Sequence, residues 1–395
     1  MMQLILFDDH SWDNLLPLTF TRPVSGLRVG ILTIAEKWEK ELQMKHSPLT
    51  RDYLSGKFPM KQGTENLLIN ASLLPDGDLL GVIRSLREGE SLQKEGRLLA
   101  LHSGRIPENF RPDDFTGNGM EYPGEISLVD YPWKIFSLNG QEIEADLMRV
   151  KAGRAGRELS HTVRAIQPEN IFVEEGFKGE HFTVNASGGA VYLGKDSEIM
   201  EGTTIRGPFA LCEGSTVKMG AKFYGPTTIG PWCKVGGEIN NSVIQANSNK
   251  AHDGYLGNAV IGEWCNLGAD TNNSNLKNNY AEVKIWNYPQ KTYIPTGRQF
   301  CGLIMGDHSK CGINTMFNTG TVVGVSANIF GPGFQNNFIP SFSWGGAGGM
   351  TTYKMEKVLE TARLVMERRE IDLTEEDVSI LQYIFDYSEG FRKWN

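Results

Sequence analysis

From Leu193 to Val235 a large apolar side chain returns every six residues: Leu193, Ile199, Ile205, Leu211, Val217, Phe223, Ile229 and Val235. Neither a helix, with its period of 3.6, nor an ordinary strand, with its period of 2, produces that spacing. Between the large residues lie Gly, Ser, Thr and Pro, as in EGTTIRGPFALCEGSTVKMG, the chemistry of tight corners between very short strands. The spacing returns in Met305, Cys311, Phe317, Val323 and Ile329, and briefly in Tyr255, Ile261 and Leu267. A six-residue beat predicts a parallel β-helix, in which each hexad forms one side of a triangular coil and its aliphatic residue points inward. The period does not set the hand of the coil.

The ladder occupies only part of the chain. At 395 residues the whole is too long for one ordinary core and calls for a second domain beside the array. A net charge of -8, with no basic run, excludes nucleic acid or an anionic membrane as the main partner and leaves small metabolites. The opening MMQLILFDDH has a short apolar run ending at Asp8 and Asp9, which reads as a first β-strand and not as a signal or membrane segment, so a cytoplasmic protein is expected. Cys212, Cys233, Cys265, Cys301 and Cys311 are odd in number and lack a C-x-x-C pair, and are read as reduced and structural.

Residues 1–148 alternate short apolar runs (QLILF, NLLIN, RLLALH, EISLV) with segments of helical period such as GILTIAEKWEKELQ, which predicts an α/β layer. Pro107, Pro112, Gly117, Gly119, Pro123 and Gly124 mark residues 104–124 as a loop-rich insert. A basic connector, RVKAGRAGRELSHTVR at 149–164, is the expected boundary, with the β-helix over 165–345. Asn-rich residues 268–300 break the beat and read as a loop projecting from the coil. Residues 346–395 predict two helices closing the open end of the coil, with a capping signal at DLTEED.

The beat also fails at SNKAHDGYLG, 248–257, where Lys250, His252 and Tyr255 crowd between glycines. This stretch carries a resemblance. QANSNKAHDGYLGNAVIGEWCNLGADTNNSN (245–275), GDHSKCGINTMFNTGTVVG (306–324) and GPFALCEG (207–214) are similar to the acetyltransferase half of the bifunctional bacterial family that makes UDP-N-acetylglucosamine. The whole chain resembles a divergent branch of it, whose N-terminal domain carries LLPLTFTRP and LRVGILTIAEKW. The resemblance implies a Rossmann-like nucleotidyltransferase domain, a left-handed β-helix, C-terminal helices and a homotrimer. It implies two reactions: N-acetylation of glucosamine-1-phosphate by acetyl-CoA, and nucleotidyl transfer from an NTP to the sugar-1-phosphate with Mg2+. It makes His252 the general base, Tyr255 and Asn266 sugar-phosphate contacts, and Asn275 and Ala269 contacts to acetyl-CoA.

The chemistry of the residues agrees, because an amine attacking a thioester must lose a proton and a neutral imidazole can accept it near neutral pH. A loop histidine bonded to a carbonyl is the plain alternative for His252. Asp307, His308 and Lys310 sit on a regular coil and are read as structural. The resemblance also fails in places. The family's phosphate-holding Arg after GPFA is missing and its Lys stands as Asn240, so Lys250 and Lys284, with Arg206 and Lys277 nearby, are the candidate cations. In the N-terminal half no glycine precedes Gly26, so the usual Gly-rich phosphate loop is absent. Arg22 and Arg28 become the expected phosphate cations and Arg22 the catalytic one. Asn70 and Ala71 replace the family's metal-binding Gly-Asp. Asp8 and Asp9, or Asp130, would then take the metal, or its binding is weak. Asn70 and Asn139 are candidate nucleotide contacts, with a turn role open for Asn139. Two other readings remain: a nucleotidyltransferase whose β-helix only assembles the oligomer, and a non-catalytic nucleotide-sugar-binding regulator.

Overall fold

All eight ladder residues from Leu193 to Val235 turn inward, none more than 3 % exposed. In the computed structural model, which describes residues 2–107, 110–117 and 119–394, they wind a parallel β-solenoid of the left-handed β-helix type with about ten turns. Its first face has six strands, from Arg164–Ile166 to Tyr255–Gly257. The second face has nine, stacking Leu193, Leu211, Ile229, Ile244, Ile261, Met305, Val323 and Ile339 in register. The third stacks Ile199, Val217, Val235 and Lys250. Parallel strands of this kind bury one row of side chains per face, and stacking hides what a single coil would leave exposed.

Each corner between the second and third faces turns on one residue of positive φ. Gly214, Trp232, Asn247, Trp264, His308 and Ser326 hold that place in successive coils, at φ between +53° and +64°. The conformation is costly for large side chains, yet the array demands it and two tryptophans adopt it.

The N-terminal half is a six-stranded mixed sheet in the order β2-β1-β3-β5-β4-β6, with β1 at Met2–Phe7, β2 at His46–Leu49, β3 at Glu65–Asn70, β4 at Ser91–Lys94, β5 at Arg97–Ser103 and β6 at Met120–Glu121. β1 pairs in parallel with both β2 and β3. Of its helices, α1 covers Ser11–Asn14, α2 Ile34–Leu42, α3 Gly77–Ser85 and α4 Pro132–Lys151. A capping box between Thr33 and Glu36 starts α2. Residues 108, 109 and 118 of the loop-rich insert lie outside the described residues.

Three expectations need correction. Asn139 is not in a turn: it lies in the middle of α4, fully buried, where its Oδ1 accepts from Gly30 N (2.8 Å) and Thr228 Oγ1 (3.0 Å). The 268–300 segment is not a projecting loop. It completes a coil through Asn273 and then folds as a hairpin, Lys284–Asn287 with Thr292–Pro295, whose Val283, Ile285 and Tyr288 join the N-terminal core. The C-terminal helices, α5 at Met355–Glu367 and α6 at Glu375–Tyr387, do not plug the coil. Tyr383 of α6 stacks on Tyr53 of the α/β half at 3.8 Å, and the hairpin Ser343–Gly346 with Gly349–Thr352 finishes the solenoid. The cap at Thr374, with Asp377 reciprocating, forms where DLTEED predicted.

Candidate functional site

The corner between the third and first faces explains the broken beat. Lys250 occupies the ladder place next to Val235, 1 % exposed, where an aliphatic residue would otherwise fill the coil. Its Nζ donates to the carbonyls of Gly236 (3.3 Å), His252 (2.6 Å) and Asp253 (3.0 Å). Burial pushes this ammonium down to about 8. Lys250 is therefore no sugar-phosphate ligand, contrary to expectation: all its donors point inward, where they pin the 252–253 peptides. Two glycines allow the tight approach. A Cβ on Gly237 would lie 2.9 Å from His252 O, and one on Gly254 (φ +108°) would lie 2.2 Å from Thr271 O.

Pinned from inside, His252 projects outward. It is exposed, makes no side-chain hydrogen bond among the described residues, and lines a groove of about 470 Å³ with Met200, Lys218, Met219, Asp253, Ala269 and Asp270. On the adjoining first face Asn275 Nδ2 donates to Tyr255 Oη (3.0 Å) and to Asn258 Oδ1 (2.7 Å). Gly257 leaves room for that pair, since a Cβ there would lie 2.3 Å from Tyr255 Oη. Behind it, buried Asn273 exchanges two hydrogen bonds with the Gly257 backbone (2.8 and 2.9 Å). Asn258 and Asn273 escaped the sequence reading, although Asn273 falls six residues after Leu267, where the beat asks for an aliphatic.

The structure thus brings His252 and Ala269 to one groove and Tyr255 and Asn275 to the neighbouring face. Asn266 is not with them in this chain: it points out of the third face into a separate groove beside the end of α5. Lys284 is exposed at the root of the 284–295 hairpin and lines neither groove.

In the α/β half the natural ligand crevice is the C-terminal end of β1, where neighbouring strands depart to either side. Asp8, Asp9 and Asn70 lie there, but each is committed. Asp8 accepts from Val24 N (2.9 Å) and Thr50 Oγ1 (2.6 Å), and burial pushes it up to about 7. Asp9 accepts from Ser11 N (2.9 Å), Asn70 Nδ2 (2.8 Å) and Arg97 Nε (2.8 Å). Burial would raise it, but Arg97 and these donors outweigh burial and hold it below the usual range. A buried carboxyl whose two oxygens are already taken by Val24 N and Thr50 Oγ1 and one already neutralised by a guanidinium do not suit Mg2+, which needs charged, available oxygens. His10 and Asp113 flank Asp9 within 4.8 Å, around a cavity of only about 180 Å³.

Arg22 and Arg28, the expected phosphate cations, are elsewhere. Arg22 is 9 % exposed and paired through both terminal nitrogens with Glu263 and Asp307 of the solenoid, and Thr21 Oγ1 donates to Asp307 Oδ2 (2.6 Å). Arg28 is 8 % exposed and bonded to the carbonyl of Ile31, while its backbone exchanges bonds with Gln245 (2.8 and 3.2 Å). The TFTRP segment serves here as a clamp between the halves. Asp307, read as structural, fits that role. All five cysteines are free and buried, as expected, with their thiols pushed up by burial, and no helix among the described residues is long and apolar enough to cross a membrane.

No curated protein matches the chain. Solved structures similar to it include a UDP-N-acetylglucosamine acyltransferase from Arabidopsis (15% identity over 60% of this chain and 99% of that one, TM-score 0.25). Another is LpxA, a UDP-N-acetylglucosamine acyltransferase from Bacteroides fragilis 9343 (15% identity, 58% and 96%, TM-score 0.23). Residues 4–155, which span the α/β half, match the family described as sugar nucleotidyl transferase.

Proposed function

We propose that the solenoid transfers an acetyl group from acetyl-CoA to the amine of glucosamine-1-phosphate, with His252 as general base. The observation that carries this reading is the unbonded, solvent-facing imidazole of His252 in a groove, on a corner held from within by Lys250. The imidazole takes the amine proton as nitrogen attacks the thioester carbonyl, the C–N bond forms and the thiolate of CoA leaves. Tyr255 and Asn275, already joined to each other, would hold sugar hydroxyls and the acyl carbonyl. In a homotrimer a second copy would bring its own third face, with Asn266, to this groove.

The test is acetyl-CoA consumption with glucosamine-1-phosphate. A general base contributes about 100-fold to 10,000-fold, so His252→Ala should lose that much in kcat with little change in thermal stability. No turnover by the wild type rejects the reading.

Nucleotidyl transfer in the α/β half is the second reading, and the match of residues 4–155 favours it. Its reaction would join a sugar-1-phosphate oxygen to the α-phosphorus of an NTP and release pyrophosphate. Pyrophosphate release from UTP or dTTP tests it directly. Silence with every nucleotide leaves this half as a scaffold or a nucleotide-sugar sensor in a cytoplasmic enzyme.

A further inference from the structure

A cavity of about 770 Å³ shares no lining residue with the His252 groove of the same chain. It lies on the third face, at the opposite edge from His252, and is closed by the end of α5 and the residues after it. Its floor follows from the coil geometry. Trp232, Asn247 and Trp264 hold the same positive-φ corner in three successive coils. Coils stack about 4.8 Å apart, so the two tryptophans stand about 9.6 Å apart along the axis with a short side chain between them. Each leans away from the gap: Trp232 covers Gly214, where a Cβ would meet its ring at 2.3 Å, and Trp264 stacks on His308 with centroids 6.2 Å apart and planes 15° from parallel. Asn247 Oδ1, at the bottom of the gap, is buried without a hydrogen-bond partner. Of the two rings Trp232 is the exposed one, and a flat ring stacks on such a face whatever its substituents.

The rim is as distinctive. Lys234, Lys310, Arg368 and Arg369 converge on the cavity, with Glu370 the one acid in its lining. None of the four cations forms an ion pair among the described residues, in a chain of net charge -8. Arg369 reaches only Asn249 Oδ1 (3.3 Å), and Lys310 only the carbonyl of His308 (2.9 Å). Four like charges around a single acid repel one another more than Glu370 offsets, and an anionic occupant removes that repulsion. Asn249 and Asn266, in the same lining, add amide donors and acceptors.

We propose that this groove is a nucleotide-binding site, in which the base stacks on the exposed Trp232 and the phosphates are held by Lys234, Lys310, Arg368 and Arg369. Two sources share that chemistry: a free nucleotide or nucleotide sugar, and the adenosine phosphate end of a coenzyme-A thioester. The site lies on different residues from the β1 crevice, where Arg22 and Arg28 are unavailable, and does not depend on the acyl-transfer reading.

Calorimetric titration of the full chain with ADP, UDP, coenzyme A and inorganic pyrophosphate tests it, followed by the same titrations of Trp232→Ala and Lys234→Ala/Arg368→Ala. These three side chains are exposed, so the fold should survive, which thermal unfolding checks. Expected are nucleotide binding weakened about tenfold by Trp232→Ala and about ten- to a hundred-fold by the double variant, a salt dependence that falls in the double variant, and no effect of His252→Ala. Binding of coenzyme A and ADP but not UDP supports the coenzyme source; binding of UDP supports the nucleotide-sugar source. No binding by any nucleotide overturns the proposal. So does binding indifferent to all these substitutions, or pyrophosphate binding as tightly as the nucleotides with Trp232→Ala without effect.

Discussion

A single buried lysine governs the His252 corner. Lys250 spends its three protons on carbonyls of the strand below and of the corner itself, so the 252–253 backbone cannot relax without stranding a buried charge. Its pKa falls from 10.5 to about 8 on folding because burial disfavours the ammonium. Between pH 8 and 10.5 the unfolded chain therefore holds the extra proton, and stability rises with pH across that window, by about 3 kcal/mol at most. The difference in melting temperature between wild type and Lys250→Met should shift in favour of the wild type from pH 7.5 to pH 10. A constant difference would show that the ammonium is not desolvated. At pH 7.5 the variant also leaves three carbonyls without their donor, each costing about 1–3 kcal/mol, and the proposed acetyl transfer should fall as His252 loses its fixed position.

At the scale of elements, the hairpin at 284–295 does more than interrupt the coil. Tyr288, 2 % exposed, meets Phe20, Phe338 and Phe391 edge-on with ring centroids 5.2–5.6 Å apart. One side chain thereby ties the α/β half, the last coils and the C-terminus together. Tyr288→Ala should cost about 3–5 kcal/mol by the cavity it opens, read as a lower denaturation midpoint of the whole chain. A midpoint unchanged from wild type would mean the hairpin is an appendage after all. The composition of 268–300 hid this. Asn-rich sequence suits coil corners and loops equally, and nothing local tells Val283, Ile285 and Tyr288 which apolar surface they will meet.

Across the whole molecule, the clamp of Arg22 with Glu263 and Asp307 joins residues far apart in the chain. Arg22→Met leaves two partly buried carboxylates without their cation and should cost about 3–5 kcal/mol. The connector at 152–163 should become more sensitive to limited proteolysis as the halves separate. The triple variant Arg22→Met/Glu263→Gln/Asp307→Asn should regain most of the loss, because the charges leave together. If Arg22→Met alone is harmless, the clamp is not what holds the halves. An arginine following Thr in a segment like TFTRP satisfies a phosphate or a carboxylate with the same fork of donors, so sequence alone favoured the ligand and the fold supplied the carboxylates.

The amino-acid sequence by itself determined the solenoid, the α/β layer before it and the two helices after it. A strict period and a cap such as Thr374 with Asp377 are written within a few residues of one another. It also marked the His252 corner, because the six-residue beat fails at 248–257. Only the tertiary structure decided which cations stay free. Arg22, Arg28 and Lys250 read as ligand donors until partners that the fold brings against them consumed them, whereas Lys234, Arg368 and the corner tryptophans drew no notice until the coil spacing and the return of α5 set them around one cavity. Charge and shape belong to residues, but their availability is fixed by neighbours that the chain brings together only when it folds.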